Sequence, residues 1–301
     1  MALDPIHTIR AAERLHLKDA IFVSFVPLGA AEGHLRAVNG KISWVGPSSA
    51  VERGEDVLEC WRQIVIPGLP LAGLTPLRIA TRALPHVDVK ILAKWFHSLP
   101  RASHKSLALQ MFAECASNGV LLPIVSLENA PEAVVLGVCD AAAECGLRTL
   151  IQWNGNINDL KRANMNPDPR IRLVESYEAG EVLQCGDACF DTFTALRRAA
   201  PAERVQHLSN TYSIFSKAFS APFGTFVRGA FFDVVFLDYE IPGRLDAKNV
   251  FEFVISAFSA SQVEACAVAT NPIVRRHEVL TVDRAAVAHD VTEILSAAPS
   301  E

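Results

Sequence analysis

Nine histidines, at positions 7, 16, 34, 86, 97, 104, 207, 277 and 289, are the side chains best suited to bind a metal or move protons near neutral pH. They are scattered. No His-x-His occurs, the pattern that lets two imidazoles on one strand end share a metal. Of the seven cysteines (60, 115, 139, 145, 185, 189 and 266), Cys185 and Cys189 are separated by three residues, whereas zinc and thioredoxin-type pairs use two. Cys115, Cys139 and Cys145 lie in alanine-rich helical stretches and read as small apolar residues. A nucleophile at Cys185 or Cys189, served by a distant histidine, has no local signature but stays open. Glu175 and Glu178 suit either a polar pocket or a solvated loop. No glycine-rich phosphate loop is present, and no Gly-x-Ser-x-Gly elbow.

The chain that must position such groups has 301 residues, half of them hydrophobic and 20% charged. That is enough for one large core, or one core with a small satellite. A net charge of −5 with no dense basic cluster argues against nucleic acid or an anionic membrane as a partner. No apolar run approaches the ~18–20 residues that span a bilayer. The opening Met1-Ala2-Leu3-Asp4-Pro5 lacks the basic-then-apolar order of a signal peptide, so a cytoplasmic protein is expected.

Residues 19–66 read as short strands: Ala20–Phe25, His34–Val38, Lys41–Pro47 and Gln63–Ile66, with Asn39-Gly40 as a hairpin turn. Helical periodicity follows, closing at Asn118-Gly119. Val120–Val125 is a strand, Pro131–Cys145 a helix capped by Gly146, and Leu147–Trp153 a strand, the order of parallel βαβ units. The polar stretch 154–170 reads as a loop. Ile171–Val174 and Glu181–Gln184 are weak strands, and Phe190–Phe219 is helical with a break near Pro201. Val234–Asp238 and Ala265–Ala269 return to strand character around a helix at Ala247–Ala257, and a last helix spans Arg284–Ala297. The expected domains are a composite of 1–66 with 225–301 and a βα unit over 67–224.

Gly40-Lys41-Ile42-Ser43-Trp44-Val45-Gly46-Pro47 followed by Ile64-Val65-Ile66-Pro67-Gly68-Leu69 resembles the entry to the amidohydrolase superfamily, where a sandwich hairpin leads into a barrel. Gly224–Ala230 with Phe232–Tyr239 resembles its return from barrel to sandwich. Pro242, Leu245, Asn249 and Leu280-Thr281-Val282-Asp283 are most similar to the SsnA aminohydrolase branch, near triazine hydrolases and nucleobase-type deaminases. The resemblance covers residues 19–150 and 180–295. It implies an α/β fold, a (β/α) TIM-like barrel with a small β-sandwich formed by the N- and C-terminal segments, and one or two divalent metals at the strand ends.

By that resemblance the first ligand pair falls on Gly73 and Thr75, neither of which can replace imidazole. His86 and His97 read as solvated or locally bonded residues, not ligands. Gly68 to Gly224 holds about five βα units, so the barrel is expected to be truncated or rearranged. Asp187 matches the family's metal-bound aspartate, or else caps the helix starting near Phe190. Trp153 and Asn154, at a strand end, are candidates for a pocket wall. The expected function is that of a metal-free, non-catalytic relative, without cofactor, that binds a small molecule or acts as a partner subunit. It would form a homo-oligomer, or a hetero-oligomer with an intact relative. The alternative is a metal-dependent amidohydrolase or aminohydrolase with a relocated site, which would need zinc or iron.

Overall fold

The computed structural model describes residues 11–162, 168–177, 182–185, 190–239 and 245–299. Two sheets organise them. The first has nine strands in the order β13-β12-β11-β10-β5-β1-β2-β3, with β4 pairing beside β1. Its members are β1 (Arg14–Phe25), β2 (Leu28–Val38), β3 (Lys41–Gly46), β4 (Asp56–Glu59), β5 (Ile64–Pro67), β10 (Asp233–Leu237), β11 (Val263–Val268), β12 (Asn271–Arg275) and β13 (Glu278–Val279). Both chain ends therefore share one sheet, through antiparallel pairing of β10 with β5.

The turn between β2 and β3 follows from its residues. Asn39 and Gly40 take φ of +51° and +73°, as a two-residue hairpin of the primed type requires, and Val38 faces Lys41 across it. β1 starts earlier than Ala20 because of a bulge at Lys18-Asp19, with Asp19 at φ +55°. The extra residue keeps Leu17 and Ala20 on the same face although they are three positions apart.

Period-two alternation splits the sheet's side chains between two cores. Leu17, Ala20, Phe22, Val65, Val234 and Phe236 fill a small core. Ile21, Ile64, Ile66, Val235 and Leu237 face the larger one. The sheet curls round the small core. Lys41 bridges Phe231, the Ile42 N–H donates to the Ala230 carbonyl at 2.8 Å, and that of Phe232 to Gly40 at 2.9 Å, so β3 meets the approach to β10.

The second sheet is parallel, β6-β7-β8-β9, formed by β6 (Leu69–Leu74), β7 (Val120–Ser126), β8 (Thr149–Gln152) and β9 (Ile171–Val174). β6, β7 and β8 are almost wholly buried runs, as a sheet covered on both faces demands. The crossovers carry α1 (Leu77–Ala83), α2 (Val89–Ser98) and α3 (Arg101–Ser117), then α4 (Glu132–Cys145), then α5 (Ile157–Arg162). Gly146 ends α4 at φ +85°. The stretch expected as a loop thus contains a short helix, α5.

On the far side of β6, Gln184 forms a parallel bridge with Ala72, and the Cys185 N–H donates to the Ala72 carbonyl at 2.7 Å. That gives five parallel positions, and among the described residues the sheet does not close. α6 (Thr192–Arg198) and α7 (Pro201–Phe219) follow, then α8 (Val250–Ser256) and α9 (Arg284–Ser296). The N-cap of α6 is Asp191, whose carboxylate accepts from the Phe193 N–H at 2.8 Å. No helix among the described residues is long and apolar enough to cross a membrane.

α7 occupies the open side. Register puts Ile124, Leu150 and Arg172 in one row, and Ser126, Gln152 and Val174 in the next, on one face. Arg172 lies 5.0 Å over the Phe219 ring and Val174 faces Ile214, so α7 covers that face. At the other end of the sheet Thr211 Oγ1 accepts from the Leu183 N–H at 2.9 Å, and the Tyr212 hydroxyl donates to the Gly68 carbonyl at 3.1 Å. Leu208, Tyr212 and Phe215 are fully buried on this helix.

Candidate functional site

In a parallel βα sheet the loops after the strands gather at one end, where function is built. Here that end is formed by Gly73–Thr75, Ser126–Glu128, Gln152–Asn154, Val174–Tyr177 and Gln184-Cys185.

At the first of these, Gly73 sits at φ +72°, and a Cβ built on it would fall 2.4 Å from Gln184 Oε1. Thr75 is half-buried and opens the turn into α1, its carbonyl accepting from the Arg78 N–H at 3.1 Å. Arg78 brings a guanidinium to the neighbouring strand end, 3.3 Å from both the carbonyl and Sγ of Cys185. The mouth is filled by an amide and a cation. His86 and His97 are exposed and remote from it, matching their reading as solvated residues. Among the described residues, no three His, Cys, Asp or Glu side chains gather where they could hold a metal.

The sequence-derived candidates fare unequally. Asp187 and Cys189 lie outside the described residues, as does Glu178. Cys185 is buried. Trp153 is only 6% exposed, its indole N–H donates to the Ala130 carbonyl at 3.1 Å, and its ring packs on Gly155. Asn154 is exposed and its amide is engaged with Asn129, accepting from the backbone N–H at 3.1 Å and donating to the side-chain oxygen at 3.0 Å. Both hold the β8 turn together.

One cavity lies a strand further on. A cleft of about 400 Å³ opens between the end of β9 and α7, lined by Val174, Ser176, Tyr177, Ile214, Lys217 and Ala218. Deeper along the strand ends, Ser126 Oγ lies 3.4 Å from the Tyr177 hydroxyl, and Gln152 donates to Glu128 at 2.5 Å. An apolar wall with a few convergent hydroxyl, amide and ammonium groups is the ordinary make-up of a small-molecule site. The sequence reading missed it, although Leu208, Tyr212, Phe215 and Phe219, spaced four, three and four apart, form a visible apolar stripe.

No family model matches the sequence, and no curated protein is similar to it. Solved structures are. A triazine hydrolase from Arthrobacter aurescens superposes with a TM-score of 0.70 at 12% identity, covering 94% of this chain and 99% of that one. The fold is that of the amidohydrolases. A zinc-bound adenosine deaminase from Xanthomonas campestris matches with a TM-score of 0.63 at 12% identity, over 94% of this chain and 98% of its own. An amidohydrolase from a Sargasso Sea sample gives 0.65 at 10%, with the same coverage. Identities this low establish the amidohydrolase fold and nothing finer.

Proposed function

We propose that this chain is a truncated amidohydrolase-fold protein of the SsnA and triazine-hydrolase type that carries no catalytic metal and binds a small molecule in the cleft between β9 and α7. The observation that carries the reading is Gly73. A ligating imidazole there would have to start where Gln184 Oε1 stands, from a backbone conformation that side chains with a Cβ disfavour. A catalytic zinc takes about three protein ligands. The donor set among the described residues does not fit one, and Arg78 brings positive charge to the same mouth.

Elemental analysis of the purified protein tests this directly. Zinc, iron and manganese should all fall well below one equivalent. One tightly held equivalent, lost in Asp187→Asn, would restore the hydrolase alternative with a relocated site. Binding is tested by thermal shift with triazines and purines, the compound classes named for the neighbours, using Tyr177→Ala as the cleft variant.

A second reading, the partner subunit, rests on β9. Its outer edge has no strand partner among the described residues, and an unpaired edge invites another chain. Sedimentation at micromolar concentration should give a dimer or, with an intact relative present, a mixed complex. A single 32.7 kDa species in both cases removes it.

A further inference from the structure

Away from the cleft, the outer side of the curled sheet buries a cluster with no part in small-molecule binding. His16 on β1 and His34 on β2 meet the loop 47–55, which folds back over them. Ser49 Oγ lies 3.1 Å from His16 Nε2, and His16 Nδ1 lies 3.2 Å from Glu55 Oε2. Glu55 is held in turn by the Glu52 N–H at 2.8 Å and by the Arg36 guanidinium at 3.1 Å.

The protons can be placed by elimination. An ionised Glu55 only accepts, so His16 Nδ1 carries the hydrogen and Nε2 presents a lone pair. The Ser49 N–H donates to His34 Nδ1 at 3.2 Å, so that nitrogen is an acceptor too, with His34 Nε2 turned to Asp19 at 3.4 Å. Two acceptor nitrogens, His16 Nε2 and His34 Nδ1, therefore face each other at 3.3 Å. Ser49 satisfies both, one by its N–H and the other by its O–H. Its hydroxyl hydrogen is thereby aimed at His16, and the oxygen lone pairs of this half-buried residue are left for an electrophile.

We propose that Ser49, His16 and Glu55 form a nucleophilic triad for acyl transfer from small esters. This is the arrangement of nucleophile, base and orienting carboxylate that defines such sites whatever their fold. Ser49 Oγ bonds to the ester carbonyl carbon as its proton passes to His16 Nε2. The bond to the alcohol oxygen then breaks and that oxygen takes the proton. Water repeats the sequence on the acyl-serine, releasing the acid and restoring the Ser49 O–H. The N–H of Ala50, the residue after the nucleophile, has no partner among the described residues and belongs to an exposed residue, which leaves it free to serve as the oxyanion donor. Arg36 fixes that turn through the Ala50 carbonyl. Burial, more than any neighbouring charge, lowers the His16 pKa, which keeps the base neutral near pH 7.

The test is a fluorophosphonate probe on the intact protein, with the adduct mapped by peptide mass spectrometry. Label should appear on Ser49 and be lost in Ser49→Ala. It should form about 100-fold more slowly in His16→Gln, the usual scale for losing a general base. Glu55 is a positioning residue, and Glu55→Gln should move the acid limb of the labelling-rate profile to lower pH. In the unaltered protein that limb must lie below the ordinary histidine value of about 6.5. This last measurement keeps the proposal open to refutation should His16→Gln fail to fold. No label on Ser49 of the folded protein, or a rate independent of pH between 4 and 8, overturns it. Neither result bears on the cleft or on metal content.

Discussion

The two sheets solve the problem of exposed edges in opposite ways. The curled sheet, assembled from both chain ends, returns on itself through Gly40–Ile42 and Ala230–Phe232. Its buried imidazoles, His16 and His34, are both hydrogen-bonded. Among the described residues the parallel sheet has five positions and does not close, and α7 covers one of its faces. On its outer layer His104 is equally buried, yet among the described residues neither ring nitrogen makes a well-formed hydrogen bond. Closure by strands satisfies backbone groups, whereas closure by α7 rests on the apolar stripe from Leu208 to Phe219 and a few bonds such as Tyr212 to Gly68. The first region is a frame. The second carries Gly73, Arg78 and Gln184 at its mouth.

The largest effect should come where the regions join. Arg148, just before β8, pairs with Asp233 at the start of β10 at 2.5 Å, both nearly inaccessible, with Phe231 packed 3.7 Å from the guanidinium. Asp233 also accepts from the Ala269 N–H at 3.1 Å. Asp233→Ala leaves a buried cation uncompensated and should cost about 3–5 kcal/mol in denaturant unfolding. Replacing both partners by apolar residues should recover much of the loss. A cost below about 1 kcal/mol for the single variant would mean that the two regions are held together some other way.

Next is the helix that fills the opening. Leu208→Ala should cost about 3 kcal/mol, since Leu208 is fully buried on the inner face of α7. The sharper readout is amide exchange. Strand β9 should lose protection before β1 does, because α7 covers a face of the parallel sheet beside its edge strand, whereas β1 meets α7 at the Phe25–Tyr212 ring pair and keeps strand partners on both sides. Equal loss in both sheets would erase the distinction between frame and filled barrel.

These differences also explain what the sequence could and could not reveal. Local signals were read correctly where local chemistry decides them. Asn39-Gly40 makes its turn, Gly146 ends α4, and Ile171–Val174 is a strand despite two polar neighbours. The start of β1 was missed because Lys18-Asp19 breaks the alternation and hides the bulge that restores it, and β4 because it has only four residues with a carboxylate at each end. The candidate wall at Trp153 and Asn154 followed from strand order, which does not say which strand end packs inward. The cluster around His16 was invisible, since its four members come from three separate elements and meet only when β1, β2 and the 47–55 loop come together.

The buried His104 gives a pH-dependent contrast of intermediate size. Burial pushes its pKa down to about 4, with the Leu99 backbone offsetting only part. The unfolded chain therefore binds a proton that the folded protein refuses, and stability falls as pH drops below about 6.5 and levels off near the folded value. Between pH 8 and pH 5 the contribution is about 2 kcal/mol. His104→Leu should flatten that part of the curve, whereas an unchanged slope would show that His104 is solvated. His16 is shifted in the same direction and adds to the acid loss, so the variant should remove the slope only in part.

The smallest expected effect bears most directly on the metal-free reading. Gly73→Ala should cost about 1–2 kcal/mol, the penalty for forcing a Cβ into the left-handed region. The contact with Gln184 Oε1 adds to it, but that atom ends a flexible side chain and can retreat. Gln184→Ala in the Gly73→Ala background separates the two terms. It should return the contact part and leave the backbone part in place. The decisive version combines Gly73→His and Thr75→His, which restores the His-x-His pattern. If the mouth is shaped as the φ of Gly73 and the reach of Arg78 imply, this pair loses stability and takes up no zinc in calorimetric titration. A variant that binds one equivalent while keeping its unfolding midpoint would mean that the site was only emptied of its ligands and never rebuilt around their loss, and the binding-protein reading would then give way to a hydrolase one substitution set away from activity.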